Sequence, residues 1–349
     1  MLAAELKPAQ GGPPRSSPAT TSRAWREVSD PLAPFLADVR RFLEAQVATF
    51  EEEVAEGARY ALSASGKQLR PVLVALSARA VGSLQPSHVT GAAIVELVHL
   101  ATLVHDDVID AAGVRRQLPT VAARFGNRTA VLLGDCLFAH ALKLASGYPT
   151  TDVCRAVSAA TKAVCSGEIL QTLRPGRVDQ PIEQYFRILQ LKTAELFALA
   201  CEIGALLATH QAAHRTSLRR FGLEFGTAYQ IFDDCLDVFG NEQTAGKTLG
   251  TDLANGKVTL PILLAYQRAS PSDRQLIERF LGGTAPAAPP GIRPVLARYG
   301  AAAACRDVVD AHLHSARSAL AFLGSSDGSS ALLALTVHLA DQAACLVDS

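Results

Sequence analysis

From Pro31 onward, apolar residues recur at intervals of three and four, and this helical period constrains the fold more than any other feature. Alanine and leucine dominate these stretches, and runs of strictly alternating β-branched residues are absent. Breaks rich in glycine, proline or serine fall at 65–66, 82–87, 111–119, 147–151, 175–181 and 240–256. They leave helices of roughly 15 to 25 residues, so the sequence predicts an all-α fold, a single large helical bundle.

The chain has 349 residues, 49% of them hydrophobic, which is enough for one large core. The first 30 residues are rich in proline, serine and glycine and lack a hydrophobic signal core, so we predict a disordered tail over 1–30. A proline-rich segment at 282–294 is interpreted as an exposed connector, because only about 55 residues follow it. We therefore predict one domain over 31–349.

Charge and cysteine content exclude several classes of function. Lys plus Arg number 33 and Asp plus Glu also number 33, so no net charge recruits nucleic acid or an anionic membrane. Polar or charged residues interrupt the long apolar stretches before the roughly 20 residues that span a bilayer, so no transmembrane segment is predicted. The seven cysteines lack zinc-site or disulfide spacing and are interpreted as reduced core residues of a cytoplasmic protein.

Two acidic segments of the form D-D-x-x-D each end a strongly apolar helical stretch, 94–104 or 221–232. The first stripe consists of Asp106, Asp107 and Asp110. The second stripe consists of Asp233, Asp234 and Asp237. Residues four apart share a helix face, and carboxylate oxygens suit Mg²⁺, which also binds phosphate. One such stripe is equally well explained as a solvated helix end. Two stripes on apolar helices favour a magnesium cage around a diphosphate.

Cationic groups lie in short breaks near these helices. Lys67 and Arg70 are three apart and converge in a helical turn, Arg115 and Arg116 follow the first stripe, and His99 lies two turns before Asp106. Alone, each has an ordinary alternative: a surface pair, a solvated arginine pair or a core histidine. Further polar candidates are Lys192 and Thr193 on a helical stretch and Gln230 just before the second stripe. Lys247 and Lys257 lie in the glycine-rich loop after that stripe.

In this order, and together with Gly134-Asp135 and Gly167-Glu168, these motifs resemble the trans-type polyprenyl diphosphate synthases, in particular the long-chain (octaprenyl, heptaprenyl or solanesyl) branch, from about Leu43 to Leu264. The resemblance implies the isoprenoid synthase fold around a central cavity. It also implies a homodimer and a Mg²⁺-dependent prenyltransferase that condenses isopentenyl diphosphate with an allylic diphosphate, through ionisation, condensation and elimination. Gln68 departs from the family, in which many members carry a basic residue there, and this puts the strength of isopentenyl diphosphate binding in doubt.

The resemblance also implies a role for each matching residue. Isopentenyl diphosphate would be held by Lys67, Arg70, His99 and Arg116. The allylic diphosphate would be contacted by Arg115, Lys192, Thr193, Gln230, Lys247 and Lys257. Three Mg²⁺ ions would be bound directly by Asp106, Asp110 and Asp233, whereas Asp107, Asp234 and Asp237 would act through water or through their neighbours. The catalytic set would be Asp106, Asp107, Asp110, Lys192, Gln230, Asp233 and Asp234.

Ala101 and Thr102 precede the first stripe by about one turn of helix. Both are small, and by family analogy small residues here let the prenyl chain grow past, so we expect a product of about seven to ten isoprene units for a quinone side chain. Farnesyl or geranylgeranyl diphosphate is the expected primer. A terpene cyclase and a catalytically silent subunit of a heteromeric synthase are the alternatives.

Overall fold

The structure is a computed structural model that describes residues 23–63, 66–173, 177–242, 249–282 and 291–346. Helices α1 to α11 are Arg23–Ser29, Ala33–Val47, Glu52–Ser63, Leu69–Val81, Ser87–Ile109, Val121–Phe125, Asn127–Ser146, Asp152–Thr172, Ile182–Leu189, Glu195–Ala208 and Ala212–Phe239. Helices α12 to α17 are Thr251–Ala254, Leu260–Arg268, Pro271–Leu281, Arg293–Arg298, Ala301–Leu320 and Asp327–Cys345. A 3₁₀ turn, Asp30–Leu32, precedes α2, and a π-helical turn, Gln190–Ala194, joins α9 to α10.

Helices α5, α10 and α11 form the centre of the bundle. α5 packs against α2, α4, α7 and α10, and α10 packs in turn against α4, α8 and α11. Their large side chains, such as Ile94, Leu97, Phe197 and Phe221, are fully buried. Burying each such side chain stabilises the fold by roughly 1.5–3 kcal/mol. The predicted all-α bundle is confirmed.

Short polar side chains mark where several helices begin. The hydroxyl of Thr120 accepts a hydrogen bond from the backbone N–H of Ala123 at the start of α6. Ser326 and Ser329 form a reciprocal capping box at the start of α17. Such caps satisfy backbone N–H groups that the first helical turn leaves unpaired. The helix starts therefore follow from local sequence.

The break at 111–119 contains a small antiparallel hairpin that the sequence did not predict. Strand β1, Val114–Arg115, pairs with β2, Leu118–Pro119, with Val114 opposite Pro119. The two turn residues, Arg116 and Gln117, have φ angles of 51° and 66°. A two-residue turn with both φ values positive corresponds to type I′, which matches the twist of a hairpin but favours asparagine and glycine. The hairpin therefore carries backbone strain.

A helix is present before the predicted domain start. Helix α1 lies within the segment interpreted as a disordered tail, and it packs against α17 with Val28 buried. Packing therefore extends N-terminally at least to Arg23 rather than to Pro31. Residues 1–22, and residues 283–290 of the proposed connector, lie outside the described residues.

Two further sequence interpretations differ from the structure. Helices α5 and α7 are long and apolar enough to cross a membrane by length and composition, although no apolar stretch was expected to reach that size. Most of α5 is buried inside the bundle, so packing accounts for its composition. All seven cysteines are free, but Cys165 and Cys345 are exposed and are not core residues.

Candidate active site

The first stripe occupies the C-terminal turn of α5, and its carboxylates point in two directions. Asp106 and Asp110 are partly exposed, with 20% and 26% of their side chains accessible, whereas Asp107 is buried. Both Nε and an Nη of Arg115, at the end of β1, lie 2.8 Å from Asp107 Oδ1. Asp107 therefore anchors the hairpin, and Asp106 and Asp110 are the two carboxylates of this stripe that remain accessible to a ligand.

The second stripe lies near the C-terminus of α11 and shows the same division. Asp234 is buried and accepts hydrogen bonds from Tyr185 Oη at 2.7 Å and from Gln230 Nε2 at 2.8 Å. Burial raises the pKa of Asp234, and the charge of Asp252 raises it further. Asp233, by contrast, is only half-buried.

Asp237 anchors the turn that follows the second stripe. It is buried and accepts hydrogen bonds from the Thr251 hydroxyl at 3.1 Å and from the Asp252 N–H at 3.1 Å. Asp234 and Asp237 are both buried, so Asp233 is the most exposed carboxylate of this stripe.

Lys257 lies between the two stripes. Its Nζ donates a hydrogen bond to Asp110 Oδ2 at 2.9 Å. Burial opposes the charge of Lys257, but the bond to Asp110 and the charges of Asp252 and Asp106 outweigh burial and raise the pKa of the ammonium. Since Asp252 also acts on Asp234, the stripes share neighbours and lie at the same end of the bundle. The other loop lysine of the prediction, Lys247, lies outside the described residues.

Lys192 and Thr193 lie on the π-helical turn between α9 and α10, where the sequence predicted a regular helix. Such turns inside helices occur mainly at functional sites, because the extra residue redirects a side chain. The Lys192 ammonium pairs with Glu168 of α8 and lies 3.9 Å from Asp106 Oδ2. The π turn thus brings Lys192 to the first stripe, and Glu168 holds it there.

Gly167 lets α8 approach this π turn closely. A Cβ at Gly167 would lie 2.6 Å from the backbone N of Lys192 and 3.0 Å from the carbonyl C of Leu191. We expect Gly167→Ala to lower the free energy of unfolding by about 1–3 kcal/mol, because the turn must shift. kcat should fall by about tenfold or more, since Lys192 moves with the turn. Denaturant unfolding and steady-state kinetics measure both effects.

Gly113→Ala is the matched control, because a Cβ there meets nothing within 4 Å. Its unfolding free energy and kcat should equal those of the wild type. A Gly167→Ala variant as active and as stable as the control would contradict the proposed close approach.

A second group of polar residues lines a cleft between α3, α5 and the hairpin. We call it the cationic cleft after Arg115 and Arg116, and its polar lining consists of Gly66, Glu96, His99, Asp107, Arg115, Arg116 and Thr120. Its opposite wall is apolar, with Tyr60, Leu100, Leu103, Val104 and Val121 among its members. The cleft therefore suits a small ligand with an anionic head and an apolar body.

Charges in and behind the cationic cleft influence one another strongly. Burial lowers the pKa of His99 well below its usual range, and Arg70, Arg116 and Arg115 lower it further, so His99 is neutral near pH 7. Burial raises the pKa of Glu96, against the opposing charges of Arg70 and Arg116. The sequence reasoning missed Glu96. Its signal was a lone carboxylate one turn before His99 in an apolar helix.

Arg70 lies behind the cleft wall rather than on it. Its guanidinium carbon sits 4.7 Å from the centre of the Phe197 ring, and its buried Nε has no hydrogen-bond partner. An unpaired buried donor is costly, so the arrangement suits an incoming anion. Lys67, just before α4, is exposed and acts electrostatically on His338 of α17.

The two residues proposed to gauge product length do not line the cationic cleft. Ala101 is fully buried in α5, and the Thr102 hydroxyl donates to the carbonyl oxygen of His99 at 2.7 Å. The α5 residues on the apolar wall of the cleft are instead Leu100, Leu103 and Val104. Control of product length by Ala101 and Thr102 therefore stays a prediction.

Ionisation of Asp106 destabilises the folded protein. Burial raises its pKa from 3.8 to about 6; Lys192 opposes this shift, and Glu168 and Asp110 add to it. A carboxyl whose pKa is raised by folding stabilises the protein below its unfolded pKa, and this contribution is lost as the pH rises through about 6. In chelator, Asp106→Asn should therefore be more stable than the wild type near neutral pH, by on the order of 1–2 kcal/mol.

Denaturant unfolding of both proteins between about pH 4 and pH 8 measures this difference. It should shrink toward zero at the acid end, where Asp106 is protonated in both the folded and the unfolded chain. Equal stability across the whole range would mean that ionised Asp106 is fully compensated by its neighbours.

Comparison with known proteins places the chain in a family. The family model described as polyprenyl synthetase matches residues 51–296. This chain belongs to the polyprenyl synthetase family. A polyprenyl synthase from Caulobacter crescentus, solved in complex with calcium and isoprenyl diphosphate, superposes with a TM-score of 0.85 at 33% identity, over 90% of this chain and 97% of that one. The chain is thus a prenyltransferase with the all-α isoprenoid synthase fold.

Two curated members of the polyprenyl synthetase family are similar to this one. The all-trans-nonaprenyl-diphosphate synthase (geranyl-diphosphate specific) of Rhodobacter capsulatus is 38% identical over 262 residues, 74% of this chain and 80% of the relative. The octaprenyl diphosphate synthase of Escherichia coli is 38% identical over 218 residues, 62% of this chain and 68% of the relative. Use of a divalent metal ion is common to the family, and the Caulobacter structure contains calcium.

Proposed function

We propose that this prenyltransferase condenses isopentenyl diphosphate with an allylic diphosphate, farnesyl or geranylgeranyl, to form a long-chain all-trans polyprenyl diphosphate. The observation that carries the proposal is that α5 bears two different anion sites. Glu96 and His99 of α5 face the cationic cleft, and Asp106 follows His99 by seven residues, about 10 Å along the helix. In this proposal, arginines bind the diphosphate of isopentenyl diphosphate in the cationic cleft. Metal ions bind the allylic diphosphate at the neighbouring first stripe.

The accessible carboxylates fit magnesium. Asp106, Asp110 and Asp233 offer hard oxygen ligands, and Mg²⁺ commonly takes one or two carboxylates and completes its shell with water and phosphate oxygens. Among the described residues, no three His, Cys, Asp or Glu side chains lie together as a protein-only metal site. We propose three ions, held by Asp106 and Asp110 on one side and Asp233 on the other.

The protein's own groups position the two substrates and accommodate charge. When bound, the metal ions supply positive charge to the departing diphosphate. Lys192 and Lys257, already beside the first stripe, contact the same diphosphate. Gln230 donates its amide N–H to Asp234, which fixes the amide beside the second stripe. We assign the Gln230 carbonyl oxygen and the Thr193 hydroxyl to stabilise the developing allylic cation.

The cationic cleft holds the attacking alkene in line. We assign Arg116 on the cleft wall, Arg70 behind it and the exposed Lys67 to the diphosphate of isopentenyl diphosphate, and the apolar wall to its short hydrocarbon. The released diphosphate accepts the proton that leaves in the elimination. This assigns no protein side chain as base, in keeping with the lowered pKa of His99, which makes its imidazole a weak base.

A long product is supported by the names of the nonaprenyl and octaprenyl relatives and by the small side chain of Ala101. Ala101→Phe should shorten the product, because a bulky ring below the first stripe blocks the growing chain. Chromatography of the labelled products measures chain length. Since Ala101 is fully buried, the variant must first unfold at a denaturant concentration close to that of the wild type. An unchanged product from a folded variant would refute the gauge.

The proposed partner is a second copy of this chain, and the proposed compartment is the cytoplasm. Four large apolar side chains are exposed on α7 and at the end of α8: Val131, Leu132, Ile169 and Leu173. Exposed apolar side chains on two helices that pack against each other suit a homodimer interface. The free state of all seven cysteines agrees with a reducing compartment. Sedimentation of the purified chain at twice the monomer mass supports the dimer, and a monomer contradicts it.

One incubation tests the reaction itself. Purified protein is mixed with Mg²⁺, farnesyl diphosphate and radiolabelled isopentenyl diphosphate, and the products are separated by chain length. The proposal expects labelled linear chains longer than the primer, formed only with the metal. Cyclic hydrocarbon without uptake of label would identify a terpene cyclase, and no product at all would identify a silent subunit.

A further inference from the structure

The strained turn of the hairpin needs an external support. Arg116 and Gln117 both have positive φ, although neither is glycine or asparagine. Non-glycine residues persist in this region only where the surrounding structure holds them there. The turn carries Arg116, a proposed ligand of isopentenyl diphosphate. Contacts that hold the turn therefore also decide where this guanidinium lies.

Tyr60, near the C-terminus of α3, contacts the hairpin directly. Its Oη donates a hydrogen bond of 2.6 Å to the carbonyl oxygen of Pro119, the last residue of β2. Its ring is held by α6, since the Arg124 guanidinium lies 4.4 Å from the ring centre and Phe125 packs edge-on at 5.7 Å. Tyr60 also lines the cationic cleft. No role in the site was predicted for it from the sequence.

The segment after α3 meets the same hairpin at its turn. The Arg116 guanidinium lies so close to Gly66 that a Cβ at Gly66 would overlap it. Gly66 in turn precedes Lys67, another proposed ligand of the same diphosphate. The hairpin therefore contacts the α3 side of the cleft twice, through Tyr60 at the end of β2 and through Gly66 at the turn.

We propose that Tyr60 is a positioning residue for isopentenyl diphosphate: its hydroxyl clamps β2 to α3 and so keeps the Arg116 guanidinium beside Gly66. The inference rests on the proposed function of the cationic cleft. It assigns to Tyr60 no contact with a reacting atom.

Tyr60→Phe removes the clamp and keeps the ring packing. The KM for isopentenyl diphosphate should rise about five- to tenfold, the usual effect of losing one hydrogen bond, with kcat and the KM for the allylic substrate within about twofold. Tyr266→Phe is the matched control, because its hydroxyl also donates a 2.6 Å hydrogen bond, to Glu278, from an exposed position that does not line the cleft. An unchanged KM for isopentenyl diphosphate, or an equal rise for both substrates, would overturn the proposal.

Repeating Tyr60→Phe in a Gln117→Gly protein distinguishes support of the turn by the hydroxyl from a general effect on packing. Gln117→Gly relieves strain at a turn position that favours glycine, so the hairpin needs less support. In this background, Tyr60→Phe should change the KM for isopentenyl diphosphate by less than about twofold. The same five- to tenfold effect in both backgrounds would show that the hydroxyl does not act through the turn.

Calorimetry measures the Kd for inorganic diphosphate in the presence of chelator. Its result can contradict the role of Tyr60 without contradicting the proposed reaction, and the reverse. Without metal, the ligand reports on the cationic cleft alone, and its Kd should rise about five- to tenfold in Tyr60→Phe. A wild type that makes no polyprenyl product but binds diphosphate with this Tyr60 dependence would contradict the proposed function and support the clamp. A wild type that condenses the substrates, with Kd unchanged in Tyr60→Phe, would overturn the clamp alone.

Discussion

Alanine at Asp106 or Asp233 is expected to lower kcat by at least about a thousandfold, because each substitution removes a partly exposed carboxylate that we propose to hold metal against the departing diphosphate. Both residues lie at the same end of the bundle, on different helices, so neither stripe replaces the other. Steady-state kinetics with saturating Mg²⁺ and both substrates measures the effect. Near-normal rates in either variant would contradict the two-stripe site.

Loss of folding does not explain such a result at Asp106. Its ionised carboxyl destabilises the fold near neutral pH, since burial raises its pKa to about 6. Asp307→Ala is a suitable control, because Asp307 is an exposed carboxylate on α16 that pairs with its neighbour Arg306. The control should keep full activity, and neither it nor the Asp106 variant should unfold at a lower denaturant concentration than the wild type.

Arg70→Met is expected to raise the KM for isopentenyl diphosphate about a hundredfold, the effect of losing a charged hydrogen-bond pair worth roughly 3 kcal/mol. The KM for the allylic diphosphate should change by less than about threefold, because Arg70 acts on the cleft around Glu96 and not on the stripes. Initial rates with each substrate varied in turn give the two KM values. Equal increases for both substrates would contradict separate sites.

The same substitution should not destabilise the fold. Burial lowers the pKa of the Arg70 guanidinium, and its Nε is buried without a partner, so an apolar side chain over the Phe197 ring removes an unfavourable burial, while Arg116 remains as the opposing charge of Glu96. Arg70→Lys keeps the charge but not the planar fork, and its KM should stay at least about tenfold raised. Arg79→Met, further along α4, is the control and should leave both KM values unchanged.

The parts of the fold set by periodicity were predictable. Helices α5 and α11 were recognised because their apolar residues recur at helical spacing, and the stripes were found because carboxylates at the end of such helices need compensation. The structure supplies part of that compensation from within the protein, through Lys257, Lys192 and Arg115. From the sequence we predicted that the carboxylates need compensating charge and that metal ions supply it. The sequence did not show which lysine or arginine pairs with which carboxylate.

Features that depend on tertiary contact were not predictable. The hairpin places Arg116 and Gln117 at positive φ, which no local propensity favours, and it is held by Tyr60 from a distant helix. The π turn at Lys192 interrupts a segment whose sequence reads as regular helix. Asp237 was recognised as part of a stripe, but its hydrogen bonds to Thr251 and Asp252 depend on how the following loop folds back.

The most direct test is a crystal structure grown with Mg²⁺ and inorganic diphosphate. We expect one diphosphate between α5 and α11, with magnesium ions bound by Asp106 and Asp110 on one side and by Asp233 on the other, and with Lys192 or Lys257 contacting its oxygens. A diphosphate bound away from the stripes, or Asp106 and Asp233 too far apart to share its metal ions, would contradict the account.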